Sequence, residues 1–560
     1  MPGLSLVAAP DAQLGSCRLK NSHHTTDVLF VALILLTLGI VAVPNITEGG
    51  LGWSDAPNHT FDGIFILELI KQRPWGHLRE WAEQFYLHYP ALGIVVYYPP
   101  GFAIVEAVMF AILGVNILAT RLTVLLFAVG ASLLLYALGK RWFDRWTGLF
   151  AALLLITCPH GGLWMRDVML EWPATFWMLA AVHAYERDRA SGGQWRWAVA
   201  LCCCLVMAYM TKQTAGFILP VLMLHALITG GVRRSAYLLQ TRFLTSVLIA
   251  AGMIGGYHLW AQQYAALPGE LLRLDFEIGQ MVSWPAEILG WPLLGIALLG
   301  LIGLVLSIRR SASIVLVVWF LVWTGFSVCI AAKEPRYLFF SVAPLCLAAP
   351  RFMMKSGRAI SWGVDRGRVV LLVLLTAIQL WLSGTKSVGP LPSYAPAVTE
   401  LVARGDADLV LVDAVRDGQF VFDIYQNPEA KKRLVPLRAS KALYARAARE
   451  KYSYQQFVQS RADIVELLEN YGIRYIVIES QLPNTQYVDA DPPPRKMLRE
   501  FLRDDQRFKL IGQWPLRCDD PAWDDVQLCL YAYPDCPPRN SKTIQMSFPA
   551  MKKQIELQLP

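Results

Sequence analysis

Residues Phe150–Ala190 read FAALLLITCPHGGLWMRDVMLEWPATFWMLAAVHAYERDRA. Two apolar segments, each close to the roughly 17 to 25 residues that a bilayer crossing needs, are separated by Arg166, Asp167 and Glu171. Arg187 and Arg189 close the second segment. These polar breaks are of two kinds, and the two kinds alternate along the chain. Basic breaks hold Lys140, Arg141 and Arg145, then Arg187, Arg189 and Arg196, then Arg233 and Arg234, then Arg309 and Arg310, then Arg351, Lys355, Arg358, Arg366 and Arg368. Mixed breaks hold Arg166-Asp167 with Glu171, then Lys212-Gln213, then Lys333-Glu334-Pro335-Arg336-Tyr337. Positively charged loops stay on the cytoplasmic side of a bilayer, which predicts that the mixed set faces the other side. Ionisable residues gathered at one face of a polytopic membrane protein point to a catalytic or transport site there.

Composition agrees with a membrane protein. The hydrophobic fraction is 55% and the charged fraction 17%, with a mean hydropathy of +0.38, whereas soluble domains carry about 25% charged residues. The formal charge of +8 is explained by the basic loops, and no basic stripe with interleaved aromatics speaks for nucleic acid. The apolar run from Val28 to Val43 is long for a signal peptide and lacks a small-residue cleavage site, so it reads as a retained first span with a cytoplasmic N-terminus.

About eleven transmembrane helices fit between residues 27 and 386. The stretch 101–118 is left as a juxtamembrane helix on the outer surface, because Pro99-Pro100-Gly101 suits a helix entry and a span there would put the later basic loops outside. The first exterior loop is then large, about 44–118, and a second lies near 263–288. After residue 386 the composition turns soluble. Asp408–Val412, Arg474–Ile478, Phe508–Ile511 and Val526–Tyr531 read as strands, and Asn470-Tyr471-Gly472 closes a helix carrying Ile464, Leu467 and Leu468. The predicted organisation is a transmembrane unit over 1–386, a small exterior α/β domain over 387–538 and a polar, disordered tail over 539–560. Cys202, Cys203 and Cys204 lie in an apolar span as small hydrophobes. Cys518, Cys529 and Cys536 allow one bridge at most, with the pairing open. No metal-ligand spacing occurs.

The first exterior loop contains the densest chemistry: Trp53-Ser54-Asp55-Ala56-Pro57-Asn58-His59-Thr60-Phe61-Asp62-Gly63, and later Tyr97-Tyr98-Pro99-Pro100-Gly101-Phe102. A carboxylate just beyond the first span can serve as general base to an acceptor arriving from water. Alternatively, Asp55 or Thr60 caps the helix that carries Glu68. Lys212 and Arg336, at the outer ends of spans, suit an anion, or merely snorkel to the interface.

In order and placement these features resemble the GT-C superfamily of membrane glycosyltransferases, in the branch holding protein O-mannosyltransferases and the lipid A aminoarabinose transferase. The match rests on Asp55 soon after the first span, Tyr98-Pro99-Pro100 closing the same loop, and an acidic site at Asp167 after Arg166. It continues with Thr211-Lys212 and a late Arg336-Tyr337 before an apolar run containing Pro344. It covers most of 1–386. The resemblance implies inverting transfer of a hexosyl or pentosyl group from a polyprenyl-phosphate carrier to a hydroxyl of a lipid, glycan or protein. Such transfer would take place on the exterior face of a cell-envelope membrane, such as a bacterial inner or plasma membrane. It casts Asp55 as the base. Ala56 stands where the family commonly has Glu, which keeps Asp62 as a rival and His59 as an assistant. Lys212, Arg336, Tyr337 and Arg166 would meet the donor phosphate. Asp167 and Glu171, four apart and read as one helix face, would orient the acceptor together with Tyr97 and Tyr98. A divalent metal between Asp167 and Glu171 would have too few protein ligands to be specified.

Other readings are a transporter or lipid flippase, which usually shows internal repeats that are not found here, and an inactive assembly subunit of the same scaffold. If the charge rule holds, a reporter fused after Arg145 reads cytoplasmic and one fused after Lys386 reads exterior. An exterior signal at Arg145 would mean that 101–118 spans the membrane and would remove Asp167 and Lys212 from the reaction face.

Overall fold

The structure is a computed structural model. It describes the chain except residues 1–10, 53–54, 94–97, 192, 235–236, 239, 264–277, 309, 331–333, 356–361, 386–392, 447–453, 484–490, 517, 519–520, 549–552 and 560.

Among the described residues, six helices are long and apolar enough to cross a membrane: His24–Ala42, Ile117–Trp142, Thr241–Gln262, Ser311–Cys329, Pro335–Met354 and Arg366–Thr385. Two bent pairs raise this to as many as eight: Arg145–Thr157 with Pro159–Met165, at 66°, and Ser283–Leu289 with Trp291–Val305, at 110°. The remaining expected spans are the helices Glu171–Ala190, Trp195–Thr211 and Ile218–Arg234. The first of these ends in Glu186, Arg187, Asp188 and Arg189, and the other two have 17 residues each. By length and composition, the expected eleven are met among the described residues by six continuous apolar helices, up to two bent ones and these three helices. The bends fall where Pro159 and Pro292 start new helices, since proline lacks the N–H that a continuing helix would need. Gly101–Leu113 has 13 residues, a rise of about 20 Å against a hydrocarbon core of about 30 Å.

Close helix packing depends on small residues, as is usual where no water drives association. The helices Ile117–Trp142 and Arg145–Thr157 meet at Gly139 and Gly148; a Cβ on Gly148 would lie 2.5 Å from the Tyr136 carbonyl oxygen. Gly300 lies against the Ala348 carbonyl in the same way, at 2.3 Å from such a Cβ.

The C-terminal unit has strands β1 (Leu409–Asp413), β2 (Val435–Arg438), β3 (Tyr444–Arg446), β4 (Tyr454–Gln456), β5 (Tyr475–Glu479), β6 (Lys509–Pro515), β7 (Gln527–Ala532), β8 (Thr543–Phe548) and β9 (Lys553–Gln558). The main sheet runs β2-β1-β5-β7-β6, with β2, β1 and β5 parallel and the rest antiparallel. Strands β1 and β5 are buried throughout, as parallel strands covered on both faces must be. Leu401, Phe420 and Ile424 cover one face; Ile464, Leu468, Leu498 and Phe501 cover the other. The helix Arg461–Tyr471 has a capping box from Ser460 and Asp463 and ends at Gly472 with φ 63°, a left-handed conformation that glycine adopts without strain. The tail expectation is corrected: β8 and β9 form an antiparallel hairpin because Ile544, Met546 and Leu557 bury against this unit. Cys529 and Cys536 are buried free thiols.

This unit sits on the loop that follows the first span. From the helix Asp417–Gln426, Phe422 and Tyr425 set their rings edge-on to Phe61 of the helix Ala56–Gln72. The Tyr425 hydroxyl donates to Glu68 at 2.6 Å, and Arg438 donates to the Pro90 carbonyl at 2.7 Å.

The glycine contacts give a stability test. Gly148→Val should cost about 1–3 kcal/mol by overpacking, read as a lower thermal midpoint in detergent. Gly252→Ala, at a helical site with nothing within 4 Å of the new Cβ, should be neutral or stabilising by up to about 1 kcal/mol.

Candidate active site

Asp55 occupies the N-cap position of the helix Ala56–Gln72, yet its side chain makes no capping hydrogen bond. The capping alternative therefore does not describe it. Its Oδ2 instead accepts from Arg336 Nη1 at 2.6 Å, although 281 positions separate the two residues. The Tyr98 hydroxyl also donates to this carboxylate. Arg336 stands in the 3-10 helix Pro335–Ser341, with its Nε 2.5 Å from Glu334 Oε2. That second contact lies off the N–H axis and leaves Nε without a directed acceptor, so it is electrostatic. Side-chain exposure is 14% for Arg336 and 19% for Asp55, which makes this a largely buried pair.

A second pair lies beside the first. Lys212, which follows the helix Trp195–Thr211, places Nζ 2.6 Å from Oε1 of the fully buried Glu171. Tyr337 joins the two pairs: the Lys212 ammonium is 5.5 Å and the Arg336 guanidinium 5.6 Å from its ring centre. Glu171 Oε2 has no hydrogen-bond partner among the described residues. Its placement in the first turn of the helix Glu171–Ala190 suits a carboxylate, because the helix N-terminus carries partial positive charge.

His59 is one helical turn beyond Asp55. It is buried, and its ring lies 4.3 Å from that of Tyr98. Burial, reinforced by Lys212 and Arg336, outweighs the attraction of Asp55 and Glu171 and lowers the imidazole to about 4, so it is neutral near pH 7. For Asp55, burial acts to raise the pKa, but Arg336 and the Tyr98 hydrogen bond outweigh it and hold the carboxyl below its ordinary range.

The remaining candidates sit elsewhere. Asp62 lines a narrow cleft with His59 and Tyr98, and its Oδ1 accepts the Gly93 N–H at 2.8 Å. Arg166 donates to the Gly162 and Ser383 carbonyls at 3.3 and 3.5 Å rather than joining Lys212 and Arg336. The one-face reading of Asp167 and Glu171 is corrected. The helix Pro159–Arg166 ends before Asp167, which is extended, and a new helix starts at Glu171. Asp167 accepts the N–H groups of Gly52 and Val168 at 3.1 and 2.8 Å. Tyr97 lies outside the described residues. No group of three metal-ligating side chains occurs among the described residues.

Two contributors escaped the sequence reading. Glu334 was visible in its motif, but its part in the ion-pair network was not. Arg121 donates to the carbonyls of Asn45, Ile46, Glu48 and Gly50 at 2.8–3.0 Å. Main-chain acceptors leave no mark in the sequence, so nothing there could have found it.

His59 predicts a pH effect. Between about 4 and its ordinary 6.5, the unfolded chain binds a proton that the folded chain does not, so stability rises with pH across that window and levels above it. His59→Gln should remove this component, read as a smaller change of thermal midpoint between pH 4.5 and pH 7 than in the unaltered protein.

Residues 98–260 match the family model described as dolichyl-phosphate-mannose-protein mannosyltransferase. No curated protein matches the sequence. Apo ArnT from Cupriavidus metallidurans superposes with a TM-score of 0.59 at 14% identity, covering 91% of this chain and 98% of that one. ArnT bound to undecaprenyl phosphate gives 0.57 at 14%, covering 92% and 99%. The oligosaccharyltransferase of Archaeoglobus fulgidus tethered to an acceptor peptide gives 0.53 at 13%, covering 81% and 69%. Helical architecture, C-terminal sheet and near-complete mutual coverage show that the chain shares the fold of ArnT, at 14% identity.

Proposed function

We propose that this chain is a membrane glycosyltransferase that moves a hexosyl or pentosyl group from a polyprenyl-phosphate carrier to an acceptor hydroxyl. The observation that carries this reading is the Asp55–Arg336 contact, which joins a first-loop acid to the late Arg-Tyr element at 2.6 Å. A similar fold was solved with undecaprenyl phosphate bound, which supports a lipid-phosphate carrier here. In this reading residues 1–386 are the catalytic unit, with the N-terminus cytoplasmic. The site and the 387–538 domain face the exterior of a bacterial inner or plasma membrane.

The chemistry follows from the two ion pairs. Asp55 is paired with Arg336, and Glu171 with Lys212. A carrier phosphate competes with Asp55 for the guanidinium fork, whose geometry suits phosphate oxygens. Asp55 is thereby released as a carboxylate able to take the acceptor's hydroxyl proton. The acceptor oxygen bonds to the anomeric carbon from the side opposite the phosphate, the carbon–oxygen bond to phosphate breaks, and the configuration inverts. The electron pair leaves with the phosphate, where Arg336 and Lys212 stabilise the added charge in a site largely closed to water. Tyr98 holds Asp55, and neutral His59 fills the space behind it without competing for the proton.

The two bent helix pairs are a feature that transporters also use, and a turnover assay separates that reading. In nanodiscs, the protein should release undecaprenyl phosphate from one of a panel of undecaprenyl-phosphate-linked hexoses and pentoses, in the presence of membrane extract as acceptor. Asp55→Asn should lower turnover by roughly 10² or more without weakening undecaprenyl phosphate binding, since position 55 then offers Arg336 no competing negative charge. Arg336→Lys should be clearly impaired, because it loses the planar fork, and Arg336→Ala should be close to inactive. Full turnover by Asp55→Asn would remove it from the base role.

A further inference from the structure

In open α/β sheets, ligands bind at the carboxyl ends of the parallel strands, where the connections diverge to opposite sides. That edge of the C-terminal unit carries Asp413 at the end of β1, Arg438 at the end of β2 and Glu479 at the end of β5. It does not stand open. The first exterior loop covers it: Gly418 lies against Pro57, so that a Cβ there would be 2.6 Å from the proline ring, and Arg438 bonds the Pro90 carbonyl.

From the same edge, Gln419 reaches the chain just upstream of Asp55. Its Oε1 accepts the Leu51 N–H at 2.6 Å, while its Nε2 donates to Asp423 Oδ1 at 2.7 Å. The second bond fixes which way the amide points. Asp423 is held in turn by the Tyr394 N–H at 2.7 Å and the Ser393 hydroxyl at 3.2 Å. Glycine at position 50 lets the amide approach this closely, because a Cβ there would lie 2.6 Å from Gln419 Cδ and push the side chain aside. Two successive peptide groups are thus tied to three side chains from separate parts of the chain: the Gly50 carbonyl to Arg121, the Leu51 N–H to Gln419 and the Gly52 N–H to Asp167. Of these, only Gln419 belongs to the C-terminal unit.

We propose that Gln419 is a positioning residue for Asp55, through which the C-terminal unit sets the first-loop carboxylate against Arg336. This rests on Asp55 being the base. Gln419 touches no reacting atom; it holds the Leu51 N–H, four residues before Asp55 in the same loop. A carboxylate that must trade an arginine for a proton within one site tolerates little displacement, and small misplacements cost large factors in rate.

The test uses the full chain in nanodiscs and the undecaprenyl-phosphate-linked sugar that the panel above finds to turn over. Gln419→Leu keeps the volume but removes both hydrogen bonds. Gly50→Ala pushes the amide away from the loop side and serves as the independent variant should Gln419→Leu fail to fold. Both should lower kcat about 10-fold, leave undecaprenyl phosphate binding within about twofold, and speed hydrogen exchange over residues 45–52. The acid limb of the pH–rate profile should also move to higher pH, as Asp55 loses the placement that lets Arg336 hold its proton affinity down. Tyr425→Phe, which loses only the Glu68 contact on the same docking face, should change none of these. Unchanged kcat with faster exchange overturns the proposal. So does a lower kcat with an unmoved acid limb, or an equal loss in Tyr425→Phe, since either would mean general docking. If Asp55→Asn retains full turnover, the base reading fails first and this proposal falls with it. If Asp55→Asn is inactive while Gln419→Leu and Gly50→Ala turn over normally, the positioning role alone is lost.

Discussion

The Asp55–Arg336 ion pair constrains the rest of the membrane unit. Two charges that are both mostly withdrawn from water persist only while each has the other, because removing one partner of a buried pair typically costs about 3–5 kcal/mol. One charge comes from the loop after the first span and the other from a turn before the helix Val342–Lys355, so the pair ties these two distant parts of the chain together. Its strength is also its weakness as a resting state. Phosphate oxygens suit the guanidinium fork as carboxylate oxygens do, so in the proposed reaction the Asp55 contact is one that a carrier phosphate can replace. Glu171 and Lys212 repeat the arrangement on the other side of Tyr337. Within each pair the charges balance, which limits the cost of burying them.

Several elements of the fold have their reason in that placement. The bend after Thr157 and the break at Asp167 start a new helix at Glu171, which puts a carboxylate at a helix N-terminus facing Lys212. The proline at position 57 lies in the first turn of the helix that Asp55 precedes, where a missing N–H leaves fewer donors for a capping carboxylate to satisfy. Asp55 is left available to Arg336. Asp62, one turn farther along, binds the Gly93 N–H and so steadies the approach to Tyr98, the residue that donates to Asp55.

The hydropathy and charge pattern made the membrane architecture legible, because apolar length and loop charge are local properties of the chain. The strands at Leu409–Asp413 and Tyr475–Glu479 were legible for the same reason: each is a short β-branched run with a turn signal beside it. The identities of Asp55, Lys212, Arg336 and Tyr337 were readable as polar breaks at one end of spans. Their pairing was not, since nothing in residue spacing says that position 55 meets position 336. The reading failed where backbone geometry decides. Asp167 and Glu171 are four apart, but a helix break separates them. The tail was polar enough to suggest disorder, yet alternation of Ile544 and Met546 sufficed for a buried hairpin face. Arg121 and Gln419 act on main-chain atoms, which every sequence presents alike.

Why a soluble domain should be fastened to this face follows from the same electrostatics. The first-loop peptides around Gly50 must be immobile for a carboxylate to face Arg336 at hydrogen-bond distance, and lipid-facing helices offer few polar groups to hold them. An α/β sheet offers many at one edge, because the parallel strands end together there and side chains from three of them project in the same direction. In this chain that edge is turned toward the membrane unit and spent on its own loop, with Gln419 and Arg438 each bonding main-chain atoms that the helices leave unpaired. The domain supplies polar rigidity at the place where the bilayer end of the bundle cannot.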